Sequence, residues 1–141
     1  MNEYVDKPIL EYEQYILIYK LSYIHFISSI YAFIYQPYTF GLLNFLSFIS
    51  SINYWKYPLY NWKRTMDIIT VNSTMLYYLY KAFYSNYGLY YYLVVITIIL
   101  SFIVSHYYYN IKDMWKSTGF HMLVHIYGFI GNMILFSGNI S

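Results

Sequence analysis

His121 and His125 stand four residues apart in "FHMLVH", near the start of a long apolar stretch. On a helix that spacing puts both imidazoles on one face, a turn apart, where they reach one metal ion or one shared acceptor. Asp67, in "NWKRTMDII", is the single acidic residue inside an apolar segment, since the others lie in the amino tail (Glu3, Asp6, Glu11, Glu13) or in a loop (Asp113). A carboxylate in hydrocarbon costs at least about 2.5 kcal/mol, so it needs a partner. Two imidazoles and a carboxylate form a ligand set for zinc: His121, His125 and Asp67 would hold the ion and polarise a water, and Ser51 or Tyr54 would donate to the developing oxyanion. The same residues admit a packing role. The histidines would then bond to carbonyls or hydroxyls of neighbouring helices, and Asp67 would pair with Arg64 three residues earlier.

The elements that must carry these groups are membrane helices. The 141 residues are 60% hydrophobic and 10% charged, more apolar and less charged than an ordinary soluble domain. Five segments are long and apolar enough to read as spans, roughly 17–36, 39–55, 65–84, 88–109 and 118–138. Pro37 and Pro58 fall in the breaks between them and Pro8 precedes the first, so no proposed helix has an interior proline. The second segment is short and the first contains Lys20, which leaves open a four-span alternative with a re-entrant second element. A soluble bundle is excluded because the helices are apolar all round and lack a charged face. The reading is an all-α, polytopic transmembrane bundle in one domain, with residues 1–16 as a cytosolic tail.

Orientation follows from charge. With five spans, Lys7, Lys20, Lys56, Lys63, Arg64, Lys112 and Lys116 fall on one side and Lys81 alone on the other. The positive-inside rule places the amino end in the cytosol and the carboxyl end outside or in a lumen. Trp55, Trp62 and Trp115 fall at that cytosolic boundary, where indole rings prefer to sit. Depth then groups the polar residues: at about 1.5 Å per residue, Ser51, Asp67, His121 and His125 lie within roughly two turns of the cytosolic face. Polar stripes Asn44, Ser47, Ser51 and His121, His125, Gly128, Asn132 should point into the bundle. His25 and His106 read as packing or interfacial residues.

Several classes are excluded. There is no cysteine, hence no disulfide, thiolate site or cysteine nucleophile. The amino end lacks a basic stretch followed by a small-residue cleavage site, so the first span is expected to stay in the mature protein. No Gly-rich phosphate loop occurs, and the net charge of +2 lies along a membrane boundary rather than on a nucleic-acid surface. One buried acid and no broken helix argue against an ion path. The 23 tyrosines, beside a single arginine, look like compositional drift more than function.

A Ser-rich helix end, "LSFISSINYW", is followed by an Asp opening the next helix and by an HxxxH opening the last. This order resembles the membrane hydrolase superfamily of alkaline ceramidases and adiponectin receptors. The resemblance implies a zinc near the cytosolic leaflet, with His121 and His125 matching the HxxxH, Asp67 the acidic residue and Ser51 or Ser50 the serine. It implies hydrolysis of a lipid amide or ester and membrane lipids as partners. Two departures stand out. Family members have seven spans, and they carry a His about one turn after the Ser, where this chain has Tyr54 or Trp55. The expectation is a multi-pass integral membrane protein with a His/Asp/Ser site, either a metal-dependent lipid hydrolase or a non-enzymatic structural, lipid-binding or assembly protein with a degenerate site.

Overall fold

The computed structural model describes residues 7–140. Glu3 and Asp6 of the amino tail lie outside the described residues. Six helical segments follow one another: α1 (Tyr12–Ser22), α2 (Ile24–Tyr35), α3 (Tyr38–Trp55), α4 (Trp62–Ala82), α5 (Gly88–Asn110) and α6 (Met114–Ser137). No strand is present among the described residues. The first two helices share one rod, because Tyr23 between them keeps a right-handed helical backbone (φ −65°, ψ −19°). Helix starts earlier than the apolar pattern suggests, at Tyr12 rather than 17. The reason is local: Gln14 Oε1 accepts from the Glu11 N–H at 3.1 Å, closing the first turn.

Caps and prolines set the other ends. Pro37 precedes α3, and the Asn61 and Asp113 side chains accept from the N–H groups of Lys63 and Lys116 to open α4 and α6. Lys112 takes a positive φ of 66° in the tight α5–α6 turn. Asp113 also pairs with Lys116 at 2.9 Å, which holds its carboxyl below the usual carboxylate range.

The rods close into a ring. The α1–α2 rod packs on α3 and α6, α3 on α4, and α5 lies along α6 over the most extensive interface; α4 and α5 form the loosest seam between neighbouring rods. Two apolar clusters fill the ends of the bundle. One gathers Leu10, Tyr15, Ile18, Tyr54 and Trp55, and the other centres on Phe40, Tyr78, Leu135 and Phe136. Between them lies a layer of buried polar side chains, including Ser28, Asn44, Ser51, Asp67 and His125.

Outward surfaces are apolar, with Ile34, Leu76, Leu89, Ile96, Leu100 and Ile103 all exposed. Three stretches are long and apolar enough to cross a membrane: Tyr12–Tyr35, Gly88–Asn110 and Met114–Ser137. In each, only 28% of the most apolar window is buried inside the protein, which is the pattern of a lipid-facing helix. Helices α3 and α4 are also 18 and 21 residues long, but they carry much of the polar layer and fall short on apolarity.

Candidate functional site

The end of α3 and the start of α4 face each other across a short loop, and this brings Ser50 and Ser51 to Asp67. Asp67 is 9% exposed, and its Oδ1 accepts from Ser51 Oγ at 2.8 Å and Ser50 Oγ at 2.9 Å. Ser50 divides its one proton between Asp67 and the Ser47 carbonyl at 3.0 Å. Ser51 has Asp67 alone. The carboxylate is therefore satisfied by hydroxyls and not by Arg64, and Lys116–Asp113 is the single ion pair among the described residues.

His121 and His125 lie on one inward face of α6, their ring centroids 5.4 Å apart. Trp55 covers them, with its ring 4.7 Å from His121 and 6.5 Å from His125. His125 Nδ1 turns instead to His25 Nε2, 3.3 Å away on α2. His25, expected as a packing or interfacial residue, makes this contact between α2 and α6. On the next turn of α2, Ser28 and Ser29 both donate their hydroxyls to the His25 carbonyl, at 3.0 and 2.7 Å. Opposite, α6 presents Gly128, where an added Cβ would stand 3.3 Å from His25 Cε1. His106 lies exposed at the cavity edge on α5.

The expected polar stripes do point inward. Asn44 is buried, accepts from Asn132 Nδ2 at 2.9 Å and donates to Ser28 Oγ at 2.7 Å, so α2, α3 and α6 are tied at one level. Ser47 donates to Thr74 at 2.9 Å, and Ser105 donates to the Ser117 carbonyl at 2.9 Å. Among the described residues no buried side-chain nitrogen or oxygen lacks a partner. Satisfaction of this kind is what a hydrocarbon surround demands.

Ser51, Tyr54, Asp67, His121 and His125 all line one cavity of about 460 Å³, together with Trp55 and Arg64. They do not converge on one ion. Among the described residues no three His, Asp or Glu side chains are arranged to hold a metal. Asp67 Oδ1 accepts from the two serines and His125 Nδ1 meets His25, while Trp55, beside both imidazoles, offers an N–H but no lone pair. Trp55 thus stands where a further ligand to the two imidazoles would be needed. The arrangement can bind: it joins a polar end, with hydroxyls, imidazoles and one guanidinium, to an apolar wall formed by residues such as Ile68, Val71, Ile98 and Phe102.

The structure is all-helical among the described residues, with three helices long and apolar enough to cross a membrane and one ligand-sized cavity. No family model, curated protein or solved structure matches the chain.

Proposed function

We propose that the chain is a five-span integral membrane protein with a cytosolic amino end, which binds a membrane lipid in its cavity without hydrolysing it. On this reading it is a reduced relative of the ceramidase and adiponectin-receptor group, with the site kept in outline and the metal lost. Five rods in a closed ring support the span count, with α3 and α4 tolerated because their polar groups are paired inside the ring. Basic residues and tryptophans at the α3–α4 and α5–α6 turns support the orientation.

The observation that carries the reading is the cavity itself. At about 460 Å³ it is in the size range of ligand pockets, and its wall runs from Asp67 and Ser51 to apolar side chains of α4 and α5. The test is native mass spectrometry of the chain released from lipid nanodiscs. A bound lipid is expected on the native chain and lost in Ile98→Trp, which fills the cavity. A native chain free of lipid would sink the reading. Metal-dependent hydrolysis keeps one contact in its favour, Ser51 to Asp67. It requires stoichiometric zinc, iron or another transition metal that falls when His121 and His125 become alanine.

A further inference from the structure

Arg64 is the one arginine of the chain, and it lines the cavity at the cytosolic end of α4. Its guanidinium lies over the Tyr60 ring, 4.9 Å from the centroid, and faces the Tyr54 hydroxyl; the Tyr60 hydroxyl in turn lies 3.4 Å from that of Tyr109. Among the described residues no carboxylate stands within ion-pair distance of it. Asp67, one turn deeper, already gives Oδ1 to Ser50 and Ser51. A ring face and a phenol leave the guanidinium without an ion-pair partner, and N–H donors remain for an anion.

Below Arg64 the polar wall gives way to hydrocarbon. Ile68 and Val71 on α4 face Ile99 and Phe102 on α5 across the loosest seam of the ring. These four line the cavity and are also exposed (44%, 40%, 46% and 54%). The space is therefore a groove open sideways, toward the surface that meets acyl chains. From Arg64 to Met75 it runs eleven residues of helix, about 16 Å, which takes most of an extended acyl chain.

We propose that this groove takes a single-chain lipid with an anionic headgroup, the head on Arg64 among Tyr54, Tyr60 and Tyr109 and the chain between α4 and α5. The proposal rests on the lipid-binding reading above and narrows it. The charge selects the head, and the lateral opening selects the membrane as source.

The full chain is placed in phosphatidylcholine nanodiscs doped equally with palmitate, palmitoyl lysophosphatidate and monopalmitoylglycerol, and the retained lipids are weighed by native mass spectrometry. Both anions are expected to exceed the neutral lipid by about tenfold or more, the size of a charge-assisted contact. Arg64→Gln should abolish that preference, bringing retention of both anions down to that of monopalmitoylglycerol, and Arg64→Lys should keep part of it. The preference of the native chain needs no variant, so a misfolded Arg64→Gln does not spare the proposal. Equal retention of the neutral lipid overturns the headgroup assignment and leaves lipid binding standing. Retention of no acyl lipid overturns both. Inorganic phosphate that binds alone with the same Arg64 dependence overturns the membrane source.

Discussion

His25 and His125, a hundred residues apart in sequence, meet with Nε2 and Nδ1 3.3 Å apart in the centre of the bundle. One ring must donate and the other accept, so each fixes the tautomer of its partner. The contact joins the first rod to the last, which is the closure of the helix ring. Cutting it should therefore act on assembly of the bundle. His25→Ala and His125→Ala are each expected to destabilise, and the double variant to fall short of their sum by roughly 0.6–1.7 kcal/mol, the range for polar pairs inside membranes. Unfolding in mixed micelles measures this, and strict additivity would show that the pair carries no energy.

Trp55 occupies the position from which a third imidazole would reach His121. Its indole lies 4.7 Å from that ring and within 6.5 Å of His125. Trp55→His replaces an aromatic without a lone pair by a zinc ligand at the same register. The variant is expected to copurify with stoichiometric zinc, and the native chain with far less. Elemental analysis decides, and equal zinc in both would remove Trp55 as the obstacle.

Much of the arrangement was legible because hydrocarbon makes polarity conspicuous. Asn44, Ser51, Asp67 and His125 stood out against apolar neighbours at helical spacing, and each is buried in the polar layer. That Ser51 and Asp67 share a level followed from depth, since one lies at the end of a helix and the other at the start of the next; their contact is a finding of the structure. Partner choice did not follow from depth. Asp67 had Arg64 within one turn on its own helix, yet hydroxyls from α3 reach it first, because lateral packing decides contacts that helical spacing only permits. The partner of His25 is hidden in the sequence for a similar reason. It lies on a helix far away in sequence, and the nearby hints, Ser28, Ser29 and the facing Gly128, gain meaning only once α2 is known to pack on α6.

Orientation is open to a direct test because the chain has no cysteine of its own. Tyr57 in the α3–α4 loop and Tyr87 in the α4–α5 loop are both exposed. In sealed membranes an impermeant maleimide should label Tyr57→Cys from the cytosolic face and Tyr87→Cys from the opposite face. The reverse pattern would invert the topology, and labelling of both from one side would break the five-span count.

Asp67 separates binding from hydrolysis. If its role is to accept from Ser51, what matters is an oxygen at that place and not a negative charge. Asp67→Asn retains such an oxygen and should keep both fold and lipid retention. Asp67→Leu leaves the Ser51 hydroxyl buried without a partner and should cost about 1–3 kcal/mol. Ser50→Ala should be nearly neutral, within about 0.5 kcal/mol, because Ser51 still satisfies the same oxygen. Ser51→Ala should cost more, about 1 kcal/mol, since it removes the donor that has no alternative acceptor. Unfolding in mixed micelles ranks the four variants, and lipid retention is read on the same samples. A hydrolytic site predicts another order: there the charge itself would be needed, and Asp67→Asn would keep stability while abolishing release of fatty acid from a ceramide or ester. Fatty-acid release by the native chain, lost in Asp67→Asn at unchanged stability, would overturn the binding role argued for this residue.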